Sequence, residues 1–161
     1  MINAILACDR AGGIARNGLL PWPKNSVDLQ WFRRHTRNGV VVMGRNTWQS
    51  DDMPAPLPGR INAVVSTLHQ KSGDEIIIFK NINSNIKLLS VLHPRKQVWV
   101  IGGAKLLMES YNIIDNFYLT IIDGDYNCDT HIPLDKILND FKIDQQEDHT
   151  GLSFYIMSRA L

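Results

Sequence analysis

Five short apolar runs, at residues 2–8, 40–43, 61–66, 76–79 and 98–101, alternate with segments of helical periodicity. Each run is rich in Val and Ile, as strands covered on both faces are. Between them, 26–37, the stretch after Gly44, 86–93 and 105–113 read as helices. This alternation predicts an α/β domain on a largely parallel sheet, because parallel neighbours need a crossover that a helix supplies. The last third differs. Residues 117–123, 141–147 and 153–158 are strand-like, with a weak helical segment at 134–138. The turn-like link 148–152 predicts a closing antiparallel hairpin.

A chain of 161 residues suits one domain, 1–161, able to bury roughly 70% of its unfolded surface. No repeat, low-complexity tract or linker divides it. Lys+Arg 17 against Asp+Glu 16 leaves +1, which points to neither a nucleic-acid nor a membrane surface. Arg33, Arg34 and Arg37 cluster on one helix face and read as solvated. Cys8 lies in an apolar run and reads as a buried thiol, far in sequence from Cys128, so a reducing, cytoplasmic setting is expected. The N-terminus is too short for a signal peptide and lacks a basic leader. No run approaches the ~20 apolar residues of a membrane span. Cys128, Asp129 and His131 are too close together for zinc-ligand spacing, and no metal is expected.

Asp28 is the sole acidic residue between Asp9 and Asp51. With Ser26 as N-cap it falls in the first turn of a helix. Leu29, Phe32 and Thr36 share nearly the same face. A carboxylate among apolar side chains needs a cationic or hydrogen-bonding partner. That fits a flat, protonatable ligand, and equally a helix-start aspartate left in water.

Two glycine turns follow buried runs. Met43-Gly44-Arg45-Asn46-Thr47-Trp48 opens a helix beside an arginine, and Ile101-Gly102-Gly103-Ala104-Lys105 repeats the logic with a lysine. Glycine admits close backbone approach, and helix-start amides attract phosphate. Neither turn is a Walker or GxGxxG sequence, but two of them suggest a ligand with more than one phosphate. Ser66-Thr67 could add hydroxyl donors. Residues 9–24, with Gly12, Gly13, Gly18, Pro21 and Pro23, form a long loop of the kind that serves as a lid. Residues 51–60 form a second, proline-rich loop.

Taken in order, Ala7, Pro21-Trp22, Asp28-Leu29-Gln30-Trp31-Phe32, Thr36, Met43 to Trp48, Leu57-Pro58-Gly59-Arg60, Ile101-Gly102-Gly103, Tyr118-Leu119-Thr120 and Asp129-Thr130-His131 resemble the dihydrofolate reductase family over nearly the whole chain. The resemblance implies a single-domain fold with a central, mostly parallel eight-stranded sheet, an antiparallel C-terminal hairpin and four flanking helices. It implies NADPH as cofactor and dihydrofolate as substrate, in a monomer with no nucleic-acid or membrane partner. Asp28 would hold the pterin ring with Thr120 in support, and Trp22 would join the 13–20 lid. Ile5, Leu6, Leu29, Phe32 and Leu57 would wall the substrate, and Arg60 would fork onto its glutamate carboxylate. Ala7, Ile14, Leu20, Gly44, Arg45, Asn46, Thr47, Ser66, Thr67, Ile101, Gly102, Gly103, Ala104, Lys105 and Leu106 would line the cofactor, with Gly102-Gly103 joined by a cis peptide. The chain departs from the family at Ala15, Asn46, Ala104 and Leu107, and in a longer, more acidic segment at 51–56.

Overall fold

In the computed structural model, which describes residues 1–68 and 70–160, the apolar runs become the middle of one sheet. β1 (Ile2–Asp9), β3 (Val40–Gly44) and β6 (Val98–Gly102) are buried along almost their whole length. The remaining strands are β2 (Gly13–Ala15), β4 (Ile61–Val65), β5 (Ile76–Ile78), β7 (Asn116–Ile122), β8 (Thr130–His131), β9 (Phe141–His149) and β10 (Leu152–Arg159). The eight-stranded sheet runs β5-β4-β3-β6-β1-β7-β10-β9. Neighbours from β5 to β7 pair in parallel, and β10 runs antiparallel to both β7 and β9. The expected mixed sheet and closing hairpin are therefore both present.

The pleat sends alternate residues to opposite faces. Ala4, Val40, Val42, Val98 and Val100 meet Ile86 and Leu89 of α3 (Ile82–Leu92) and Leu106 and Leu107 of α4 (Ala104–Ser110). Ile5, Val41, Met43, Trp99 and Ile101 meet Trp31 of α1 (Ser26–Thr36) on the other face. A single turn, α2 (Arg45–Trp48), and α5 (Leu134–Asp140) complete the helices. Among the described residues four helices have seven residues or more, and α2 is a fifth, short one. Among the described residues no helix is long and apolar enough to cross a membrane.

Several boundaries differ from expectation. The N-cap of α1 is Asn25, whose side chain accepts from Val27 N at 3.0 Å and Asp28 N at 3.1 Å. Ser26 is instead the first helical residue. Helix α3 starts at Ile82, earlier than its apolar pattern, because Asn83, Ser84 and Asn85 are weak helix formers that packing carries into the helix. The segment 105–113 divides into α4 and a 3₁₀ turn, Tyr111–Ile113. β2 and β8 pair into a separate two-stranded sheet that is too short to leave a periodic signal.

Candidate active site

Helix α1 carries Asp28 in its first turn, where it meets β7. Opposite it, β7 presents Thr120, paired in register with Ala7 on one side and Phe154 on the other. Thr120 is buried, and its Oγ1 donates to Asp28 Oδ1 at 2.8 Å. Burial pushes the Asp28 carboxyl above the ordinary carboxylate range, with the Thr120 hydrogen bond pulling weakly the other way. Ile5, Leu6, Ala7, Phe32 and Ile101 line the same space. The result is a proton-hungry carboxylate on an apolar floor.

The glycine turns form the other half. A Cβ on Gly44 would stand 3.8 Å from Gly102 O and 3.9 Å from Gly103 N, and one on Gly102, where φ is +122°, would stand 3.2 Å from Leu6 Cδ2. Bare backbone of two strand ends thus faces one groove, and the Gly102–Gly103 peptide is cis. Thr47 lies beside this floor, 3.7 Å from where a Gly103 Cβ would be. Arg45 Nη1 donates to Ser66 Oγ at 3.1 Å, and Ser66 Oγ also accepts from Leu68 N at 3.1 Å. With the Gln49 amide turned so that its oxygen faces Arg45, that oxygen lies 3.0 Å from Nη2. Asn46 and Thr67 sit exposed on the lip. Lys105 is exposed too, with Glu109 at 3.9 Å, too open a pair to hold it.

Both halves open into one cleft of about 960 Å³, at the upper end of the range that encloses a small-molecule ligand. Its mouth carries Arg33 and Arg60. Arg60 is held by Pro58 O (Nε, 3.0 Å) and Thr36 Oγ1 (Nη1, 3.0 Å), leaving Nη2 without a hydrogen bond among those described. Desolvation and the nearby Arg33 charge both lower its pKa. Two close cations at a cleft mouth attract an anion.

The loop of residues 9–24 borders the same cleft. At its base, buried Asp9 accepts from Ala11 N (3.0 Å), Gly13 N (2.8 Å) and Tyr126 N (3.0 Å). Burial opposes ionisation there, but these donors and the Cys128 thiol hold the carboxyl below its ordinary range. Asp129 N donates to Ala15 O at 3.0 Å, and Asn17 N to Asp129 Oδ2 at 2.8 Å. Asn17 and Gly18 have φ of 53° and 77°, turning the loop back so that Arg16 and Leu19 bridge. Ile14 and Leu20 face the cleft.

Residues 1–155 match the family model described as dihydrofolate reductase. This chain belongs to the dihydrofolate reductase family. It is 34% identical over 145 residues to a putative dihydrofolate reductase of Caenorhabditis elegans, covering 81% of this chain and 76% of that protein. Identity is 35% over 133 residues to dihydrofolate reductase type 3 of Salmonella typhimurium, covering 83% and 78%. It is 30% over 157 residues to a bifunctional dihydrofolate reductase-thymidylate synthase of Paramecium tetraurelia, of which the match covers 33%. Family membership makes the chain an oxidoreductase, and it bears on the cleft directly. All the expected substrate and cofactor residues, from Ile5 to Thr120, line it. Trp22 does not; it is 6% exposed and packs edge-on against Tyr126 at 5.9 Å, under the loop. Leu107 is buried in the core beneath α4, away from the cleft. The residue pattern alone did not single out Arg33, Ser50, Phe79 or Ile82, which also line the cleft. Arg33 reads as a solvated arginine in sequence, Phe79 as the end of a strand, and Ile82 falls before the helix expected at 86–93.

Proposed function

We propose that the protein reduces 7,8-dihydrofolate to 5,6,7,8-tetrahydrofolate with NADPH, the pterin gaining a hydride at C6 and a proton at N5. The observation that carries this reading is the Asp28–Thr120 pair, a half-buried carboxylate of raised pKa hydrogen-bonded at 2.8 Å on an otherwise apolar floor. The donor set fits a dinucleotide: bare glycine backbone at Gly44, Gly102 and Gly103, with Arg45, Thr47, Ser66 and Thr67 beyond it. Arg45, already aimed by Ser66, suits a phosphate. NADPH, when bound, supplies the hydride.

This chain's own residues do the rest. Asp28 accepts hydrogen bonds from the pterin's amino and ring N–H groups, and Thr120 fixes the carboxylate's orientation. A carboxylate at that place lowers the energy of the N5-protonated ring. Ile5, Leu6, Leu29, Phe32 and Leu57 hold the ring and its aryl arm, while Ala7, Ile14, Leu20, Ile101, Ala104 and Leu106 align the nicotinamide end. Arg60 takes the glutamate α-carboxylate through its guanidinium fork. Asn46 and Lys105 add donors and charge along the phosphates. Trp22 supports the lid that excludes bulk water during transfer.

The test follows loss of reduced-nicotinamide absorbance on adding dihydrofolate to the wild type, Asp28→Asn and Asp28→Ser. Turnover in wild type and a drop of about 10²-fold or more in both variants is expected, with NADPH binding retained. A folded wild type that does not turn over dihydrofolate removes the assignment.

A further inference from the structure

We infer that Asp52 is a positioning residue whose carboxylate latches the lid's Leu20 across the mouth of the cleft, and so sets how long a bound ligand stays. Leu20 N donates to Asp52 Oδ2 at 2.8 Å, joining loops 32 residues apart. The lid's base is tied separately, by Asp9, by Asp129 and by β2 pairing with β8. The Asp129 bond ends at Asn17 in the turn, so Leu20, just past it, is beyond the reach of these ties. Leu20 lines the cleft yet is 41% exposed, so packing alone restrains it little. The Asp52 bond joins Leu20 to the proline-rich loop that also lines the cleft.

The latch stands on a fixed post. Asp52 N donates to Ser50 Oγ at 3.3 Å, and Met53 N to Ser50 O at 3.0 Å. Farther on, the buried Asn62 of β4 accepts from Leu57 N at 3.0 Å and donates to Leu57 O and Arg60 O, each at 3.1 Å. The proline-rich loop is therefore stapled to the sheet while Asp52 reaches the lid from its start. A carboxylate accepting from a backbone N–H makes a charge-assisted bond, stronger than one to a neutral oxygen. Among the described residues Asp52 forms no ion pair, so its charge is free to serve this contact. The acidic segment 51–56, a departure from the family pattern, thereby acquires a task. The identity of the ligand rests on the reductase reading; the latch does not.

The test compares wild type, Asp52→Ala and Asp52→Asn by amide exchange at Leu20 and by stopped-flow release of NADPH and of tetrahydrofolate. Asp52→Ala should speed Leu20 exchange and NADPH release by about 3- to 10-fold, the range expected on losing one hydrogen bond of about 1 kcal/mol. Asp52→Asn, which keeps an acceptor oxygen, should fall between it and wild type. Core amides of β1 and β6 should exchange as in wild type. Unchanged Leu20 exchange, unchanged NADPH release or a uniform rise that includes the core overturns the inference. Failure of the reductase reading would appear separately, as wild type that binds NADPH without reducing dihydrofolate.

Discussion

Asp28 and Asp9 are both withheld from bulk water, yet their pKa values move in opposite directions. Three backbone amides reach Asp9, whereas one hydroxyl reaches Asp28. The sign for each follows from proton linkage. Asp28 in the folded protein binds its proton more tightly than the unfolded chain, whose value lies near 3.8. Stability therefore falls as pH rises from about there through the raised folded pKa, then stays lower. Asp9 behaves oppositely: its contribution is present above the unfolded value and is lost as pH falls through the lowered folded one. Asp28→Asn removes the charge but keeps an acceptor for Thr120, so this variant should be more stable than wild type at neutral pH. A gain on the order of 1 kcal/mol is expected, of the size seen when a site is relieved of a functional strain. The gain should shrink toward acid. Urea unfolding of both proteins at neutral and acidic pH measures it, and a difference that grows on acidification would contradict the account.

At the scale of an element, α1 depends on its first turn. Asn25 caps Val27 N and Asp28 N together, so the cap sets the helix start and the height of the Asp28 carboxylate at once. Asn25→Ala should cost about 0.5–2 kcal/mol and raise the KM for dihydrofolate more than that for NADPH. Thermal unfolding and initial rates check the two parts, and an equal change in both KM values would detach the cap from the substrate side. The helix and its face were legible in the sequence because Leu29, Phe32 and Thr36 repeat at helical steps, and Asp28 stood out among them. The cap was not, since Asn25 and Ser26 are both good caps and backbone geometry decides between neighbours. β2 and β8 were illegible for a different reason. Three and two residues cannot display alternation, and their pairing is fixed by Asp9 and Asp129, far apart in the chain. Asp52 fell between these cases: its acidic segment was visible, its partner Leu20 was not.

Across the whole molecule, the strands of the main sheet were readable as segments, but their order was not. β1 lies between β6 and β7, contacts that apolar runs alone do not rank. The C-terminal hairpin has a consequence for the site through this order. β10 lies against β7, so Phe154 sits beside Thr120 in register. Its ring, 3% exposed, stacks on Trp31 of α1 with centroids 4.4 Å apart and planes 11° apart. Phe154 therefore touches both supports of the carboxylate: the strand that carries Thr120 and the helix that carries Asp28. Truncation to Ala should cost about 3–5 kcal/mol as a buried aromatic is lost. It should also weaken dihydrofolate binding at temperatures where the variant remains folded, because α1 loses the surface that sets its height over β7. Phe154→Leu keeps most of the volume without the stacked ring, so it should recover most of the stability and only part of the affinity. Urea unfolding and titration with dihydrofolate separate these effects. Full affinity in a destabilised Phe154→Ala would mean that α1 is positioned by the sheet centre alone, and that the hairpin serves stability without reaching the site.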